Sequence, residues 1–231
     1  MNLFYGKITQ NHVEIDSAEQ HHIQKVLRMR EGSKISVTDG NGHLAHGILH
    51  FEGKKVLLQV TKTETKKPPL SPALHVALAP TKNIDRTEFF VEKATEMGVS
   101  EITFLLTENS ERKHLNIERI EKKVISACKQ SQRVYFPKIN PMISLSEFLE
   151  NSLPKNTYVA HCHSKLERTD LKEIVPQNEI CFLIGPEGDF SLKEIEMLKE
   201  KQIKAVSFGF QRLRTETAGI FIAAWNYSKM I

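Results

Sequence analysis

The sequence predicts an α/β protein: a mostly parallel, helix-covered sheet over residues 71–231, preceded over residues 1–70 by a small β-barrel with one helix. Three observations predict it. Period-two alternation dominates the first seventy residues, strand-like and helix-like patterns alternate after them, and two short apolar runs late in the chain each end at a glycine loop. The break falls at Lys66-Lys67-Pro68-Pro69-Leu70-Ser71-Pro72, where three prolines forbid helix and central strand alike. A chain of 231 residues has room for one large domain or for two modest ones, and 40% hydrophobic with 26% charged residues is the composition of a globular protein.

Before the prolines, Ser17 with Gln20 three residues on reads as a capping box, and Ile23, Val26 and Leu27 form a short apolar helical face. Lys34 to Thr38 alternates, Asp39-Gly40-Asn41-Gly42 is a hairpin turn, and Leu44 to Phe51 and Lys54 to Val60 resume the alternation. After the prolines, Leu74 to Ala79 reads as a strand. A helix follows, capped by Asp85 with Glu88, with Phe89, Phe90, Ala94 and Met97 on one face and Gly98 ending it. Ile102 to Leu106 is the next strand and Asn116 to Gln130 the next helix, with Ile117, Ile120, Val124 and Cys128 aligned. Tyr158 to Ala160, Cys181 to Ile184 and Ala205 to Phe208 complete the strands. Ser191 and Glu194 form a capping box between the last two, and an apolar helix over Thr217 to Lys229 closes the chain.

The late loops hold the candidate chemistry. Ile180 to Ile184 runs into Gly185-Pro186-Glu187-Gly188, and Ala205 to Phe208 runs into Gly209-Phe210-Gln211-Arg212-Leu213-Arg214-Thr215-Glu216. Two buried strands that empty into special loops are expected to be neighbours in the sheet, and ligands of parallel sheets bind beyond the carboxyl ends of strands. The first loop lacks the Lys-Ser/Thr of a P-loop and the glycine spacing of a dinucleotide fingerprint. Its glycines serve either a tight strand-to-helix turn or the close approach of backbone to a ligand. In the second loop an arginine can hold a phosphate or stabilise a developing anion, or else Arg214 and Glu216 form a surface pair.

Composition bounds the partners. Net charge is +4, and residues 1–70 hold 10 Lys and Arg against 7 Asp and Glu, with six of the ten histidines. Lys25, Arg28 and Arg30 there make either a phosphate-binding surface or a solvated face. The histidines have no acidic or Cys partner at metal-ligand spacing, and Cys128, Cys162 and Cys181 form no CxxC pair, so no metal site is expected. Unpaired thiols fit a reducing cytoplasm, and no apolar run is long enough to span a membrane.

Several segments together resemble the 16S rRNA uracil-N3 methyltransferase family (RsmE) of the SPOUT, or trefoil-knot, methyltransferases. They are His22 with Val26-Leu27-Arg28, Glu92-Lys93-Ala94-Thr95-Glu96-Met97-Gly98-Val99, Glu108 to Arg112, Gln130 to Arg133 with Pro137, and the GPEG and LRTETA loops. The chain departs from the family pattern at Asp189, where a second glycine is usual, and at Gln211, where an arginine is usual. The resemblance implies a PUA-like RNA-binding barrel and a knotted domain that binds S-adenosylmethionine. Cofactor contacts are then expected from Leu183, Ile184, Gly185, Pro186, Glu187, Gly188, Phe208, Gly209, Leu213, Thr217 and Ala218. Arg214 and Glu216 are the expected catalytic residues, with Arg214 favoured over Arg212 because it directly precedes Thr215-Glu216-Thr217; Lys25, Arg28, Arg30, Arg112 and Arg133 are the expected RNA contacts. It further implies a homodimer, whose interface the final helix would supply if it is not simply core, and a small-ribosomal-subunit substrate. A SPOUT enzyme acting on another base or a ribose 2′-hydroxyl, and a non-catalytic ribosome-assembly factor, are the alternatives.

Overall fold

The structure, a computed structural model, describes residues 2–9, 12–68, 72–151, 153–163, 167–175 and 178–230. The chain divides into two units, Met1–Pro69 with Ile125–Phe136, and Leu70–Val124 with Pro137–Ile231. The core of the expected linker, and the boundary between residues 70 and 71, lie outside the described residues.

The first unit is a five-stranded sheet made of β1 (Asn2–Ile8), β2 (Val13–Ile15), β3 (Lys34–Thr38), β4 (His43–Glu52) and β5 (Lys55–Thr65), in the order β2-β1-β3-β4-β5. β2 packs against β5, which nearly closes the sheet into the expected small barrel. Phe4, Ile15, Ile23, Ile35, Val37 and Leu49 fill it. The hairpin at residues 39–42 forms as the sequence requires, joining β3 and β4 antiparallel. The single helix, α1 (Ser17–His21), starts differently. Asp16 caps it by accepting from Ala18 N (2.9 Å), so the Gln20 amide is released to bridge Ile15 O (2.9 Å) and Val56 N (3.0 Å) on two strands. The chain then widens into a π-turn over His22–Val26, which leaves Ile23 buried and turns Val26 and Leu27 to solvent. The tail of residues 125–136 adds to this unit through the Tyr135 hydroxyl, which donates to Lys66 O (2.9 Å), and the Phe136 ring stacked on Tyr5 at 5.5 Å.

The second unit is a seven-stranded, wholly parallel sheet. Its strands are β6 (Ala73–Leu78), β7 (Glu101–Leu106), β8 (Lys138–Ser144), β9 (Thr157–Ala160), β10 (Thr169–Asp170), β11 (Glu179–Ile184) and β12 (Lys204–Ser207), in the order β10-β12-β9-β11-β6-β7-β8. The helices are α2 (Ile84–Glu96), α4 (Leu145–Glu150), α5 (Leu192–Glu200), α6 (Thr215–Tyr227) and the first half of α3 (Ile117–Gln130), whose residues from 125 on count with the first unit. β11 and β12 are not neighbours. β9 lies between them, pairing Leu183 with Val159 on one side and Ala205 with Val159 on the other. β8 escapes a sequence reading because Pro141 interrupts it, which is tolerated because β8 is an edge strand.

Side chains of β11 alternate between two layers. Cys181 and Leu183 meet Phe148, Phe190, Ile195 and Leu198, while Phe182 meets Tyr158, Phe208 and Trp225. The Ser191–Glu194 capping box forms in full (Glu194 N to Ser191 Oγ 3.1 Å, Ser191 N to Glu194 Oε2 2.8 Å). For α2 the cap is Asn83, which accepts from Asp85 N (3.0 Å), and Asp85 falls inside the helix. Glu88, thereby placed one turn in, pairs with Arg119, and Phe89 turns outward while Phe90 and Val91 are buried.

α6 crosses α2 at Gly219, where a Cβ would lie 2.6 Å from the Phe90 ring and 3.0 Å from Leu78. Phe90 is fully buried and has nowhere to move. Gly219→Val is therefore expected to cost about 1–3 kcal/mol through overpacking; a thermal or urea melt unchanged from wild type would contradict this packing.

Candidate functional site: a crevice at the carboxyl ends of three strands

β9, β11 and β12 end at the same edge, and because β9 carries its own loop, the loops after β11 and β12 are held apart by one strand width. Between them lies a cavity of about 400 Å³, within the ~300–1,000 Å³ range of small-molecule sites. Ile184, Gly185, Pro186, Glu187 and Asp189 line it from β11, and Val206, Phe208, Gly209, Leu213 and Arg214 from β12 and its loop. Ala160, His161 and Cys162 form the wall beyond β9, with Arg168 beside them and Ala218 contributed by α6.

Local chemistry explains the shape. Gly185 O accepts from the buried Thr215 hydroxyl (2.9 Å), which ties the β11 loop to the start of α6. Gly209 takes φ +116°, a conformation open to glycine, and bonds with the Ser207 hydroxyl turn the loop there. Arg112 donates from Nε to Thr81 O (3.0 Å) and from Nη2 to Lys82 O (2.6 Å), and Lys82 N in turn donates to Glu187 Oε1 (3.1 Å). Asn109 Nδ2 donates to Gly188 O (3.2 Å) and Asp189 O (3.0 Å), and Glu108 N donates to Glu194 Oε1 (2.9 Å). The loops after β6, β7 and β11 thus form one hydrogen-bonded rim.

Most of the expected cofactor residues meet in this crevice. Leu183, Gly188 and Thr217 do not line it: Leu183 is fully buried in the core, Gly188 faces Asn109, and Thr217 is exposed on α6. Arg214 precedes the first turn of α6, where its carbonyl accepts from Ala218 N (2.8 Å); its side chain makes no cap, is exposed and has no hydrogen-bond or ion-pair partner among the described residues. Glu216 does not pair with it. Its carboxylate is buried, with Oε1 3.8 Å from Arg86 Nε on α2 and Oε2 without a hydrogen-bond partner among the described residues. Among the described residues the Arg212 side chain makes one long contact, 3.5 Å to Glu187 O. On the first unit, Lys25, Arg28 and Arg30 are exposed, and Arg133 is half-buried close to Cys128. No group of three or more His, Cys, Asp or Glu able to hold a metal ion occurs among the described residues, and no helix there is long and apolar enough to cross a membrane.

The sequence reading did not single out the wall beyond β9. Its available signal was the strand itself: in a parallel sheet every carboxyl end next to a ligand loop is a candidate. His161 is buried there, its Nδ1 accepts from His163 N (3.2 Å), and Arg168 Nη1 donates to its carbonyl (2.9 Å). With Nδ1 accepting, the neutral ring carries its proton on Nε2. Burial holds its pKa down at about 4, helped by the charges of His163, Arg168 and Lys199 and opposed by Asp189. Burial likewise pushes the Cys128 thiol up to about 12 and raises that of Cys181, so both are protonated core groups, while Cys162 is exposed.

A helix-covered parallel sheet with a crevice of this kind, preceded in the chain by a small barrel, matches the domains of RNA methyltransferases. Residues 68–226 match the family described as RNA methyltransferase domain, and residues 15–60 match the RNA methyltransferase PUA domain. The ribosomal RNA small subunit methyltransferase E of Rickettsia conorii is 31% identical, over 90% of this chain and 86% of its own length. A probable rRNA methyltransferase of Porphyromonas gingivalis superposes with a TM-score of 0.89 at 33% identity, covering 100% of this chain and 98% of that one. The methyltransferase E of Neisseria gonorrhoeae, solved bound to S-adenosyl methionine, does so at 0.86 and 26% identity, covering 99% and 98%. This chain belongs to the ribosomal RNA small subunit methyltransferase E family.

The buried His161 predicts a pH dependence. From pH 6.5 down to about 4 the unfolded chain takes up a proton that folded His161 refuses, so its contribution is full above 6.5 and is lost as pH falls towards 4. Urea midpoints measured near pH 7.5 and near pH 5 should drop less for His161→Gln than for wild type; an equal drop would show that His161 is not held neutral.

Proposed function

We propose that this protein transfers the methyl group of S-adenosylmethionine to N3 of a uridine in the decoding region of 16S rRNA within the small ribosomal subunit. The observation that carries this reading is the crevice beyond β9, β11 and β12, with an arginine, Arg214, at its rim whose side chain has no partner among the described residues. Its lining suits the cofactor. Ile184, Val206, Leu213 and Ala218 offer apolar surface for an adenine ring, and the carboxylate of Glu187 offsets a sulfonium charge. The methyltransferase E of Neisseria gonorrhoeae, solved with that cofactor, supports the same choice. Bound there, the cofactor supplies an electrophilic methyl group.

The protein's own residues align and polarise the acceptor. N3 lies on the Watson–Crick edge of uracil, so the nucleotide must enter unpaired or flipped. N3 must also lose its proton. Of the two carboxylates in the crevice, Asp189 has both oxygens taken by backbone N–H groups, whereas Glu187 has one oxygen bonded and one without a hydrogen-bond partner among the described residues. Glu187 is therefore the proton acceptor in this reading, and Arg214 stabilises the uracil anion that results. Glu216, facing Arg86, acts by holding the start of α6 on which Arg214 is carried.

The remaining assignments follow the same reading. Residues 1–70 act as the PUA-like RNA-binding barrel and residues 71–231 as the SPOUT methyltransferase domain with its C-terminal knot. Lys25, Arg28 and Arg30 contact phosphates, with Arg133 and Arg112 completing the RNA surface. Arg112 does so through the backbone loop that it holds. Exposed Phe89, Phe221 and Tyr227 on α2 and α6 supply a homodimer interface, and the enzyme works in the cytoplasm.

The deciding experiment incubates the protein with radiolabelled S-adenosylmethionine and small subunits from a strain lacking the enzyme, followed by mass spectrometry of the nucleosides. Label is expected in 3-methyluridine, and Arg214→Ala should lower kcat by about 10²–10³-fold, the cost of removing one anion-stabilising donor. Label on a ribose or another base would overturn the assignment to uracil N3. Subunit binding without label would make the protein a binding factor.

A further inference from the structure

The crevice has three walls, and two of them meet at one carboxylate. Asp189 sits in the loop after β11 at φ +63°, a left-handed conformation uncommon outside glycine and tolerated by Asp and Asn. Its main chain closes the turn, with Asp189 N donating to Pro186 O (2.9 Å), and its carbonyl is held by Asn109 Nδ2 (3.0 Å). The turn aims the side chain across to the loop after β9. Oδ2 accepts from Cys162 N (2.7 Å) and Oδ1 accepts from Phe190 N (2.8 Å). Both are bonds of an ionised acceptor to backbone donors, about twice as strong as neutral ones.

A second tie runs parallel to the first. His163 Nε2 donates to Phe190 O (2.8 Å) and lies 3.8 Å from Asp189 Oδ2. The clamp thus spans Cys162 and His163 on one side and Asp189 and Phe190 on the other. The residues it fixes, His161, Cys162 and Asp189, all line the cavity. Without it, Cys162 N, just past the last β9 residue paired to β11, would lose its protein acceptor.

Resting on the cofactor reading above, we propose that Asp189 is a positioning residue: it locks the loop after β9 onto the loop after β11 and so holds the crevice in its cofactor-binding shape. It acts on binding rather than on the methyl transfer step, because both of its oxygens are committed to the backbone and neither is left for the acceptor base.

The protein carries its own reporter. Cys162 is exposed while Cys128 and Cys181 are buried, so alkylation of the native protein by iodoacetamide reads the β9 loop alone. Asp189→Gly keeps the backbone conformation and removes both bonds; Asp189→Asn also tolerates that conformation but can accept only one of them. Calorimetric titration with S-adenosylmethionine should show Asp189→Gly binding about tenfold more weakly, with Asp189→Asn between it and wild type. KM for the cofactor should rise in parallel, with kcat at saturation falling less than about threefold, the split expected of a binding effect. In the cofactor-free protein, Cys162 should alkylate several-fold faster in Asp189→Gly than in wild type. Wild-type affinity together with wild-type alkylation in Asp189→Gly would overturn the proposal, as would a fall in kcat with affinity unchanged. If wild type itself binds no S-adenosylmethionine, the functional reading fails on its own, and the alkylation rates still decide whether the clamp exists.

Discussion

Burial of β11 on both faces is the constraint on which the rest of the second unit depends. Ile180, Cys181, Phe182, Leu183 and Ile184 are five consecutive buried apolar residues, each contributing roughly 1.5–3 kcal/mol if its side chain leaves water completely. A strand apolar on both faces must be covered on both, here by α4 and α5 on one side and α6 on the other. It must also be paired along both edges, here by β9 and β6. Parallel pairing sends every connection over a face of the sheet and brings the carboxyl ends of the strands to one edge. The crevice is a consequence of that arrangement before any residue in it is specialised.

Polar groups then decide how rigid the edge is. Arg112 spends its donors on two carbonyls of the loop after β6, and that loop passes a backbone N–H to Glu187. Glu194 caps α5 with one oxygen and accepts Glu108 N with the other. Thr215 closes the set by donating to Gly185 O from the first turn of α6. Each of these groups would otherwise be a backbone donor or acceptor left unpaired at a strand end, costing about 1–3 kcal/mol where buried. The same bonds that prevent this cost also present Glu187 and Arg214 at the rim without committing their remaining polar atoms. Fold stability and availability for chemistry are supplied by different atoms of the same loops.

Much of this is legible in the sequence where the physics is local. The Ser191–Glu194 box spans three residues, and the hairpin at residues 39–42 and the helix end at Gly98 depend on short-range backbone preferences. Local competition explains the near misses. Asp16 outbids Ser17 because its carboxylate already reaches Ala18 N, and Asn83 starts α2 two residues before Asp85. The segments resembling the methyltransferase family are legible for the same reason: each is a short run of residues whose order is fixed.

What the sequence by itself determined is therefore most of the strands, the Ser191 cap, the two glycine loops, and the family to which the chain belongs. The tertiary structure alone decided that β9 separates β11 from β12, that His161, Cys162 and Asp189 complete the crevice, and that Glu216 faces Arg86 rather than Arg214. The physical reason is distance along the chain. Partners in a parallel sheet are joined by crossovers, so Leu183 meets Val159, and Asp189 meets Cys162, through pairings that no local spacing encodes.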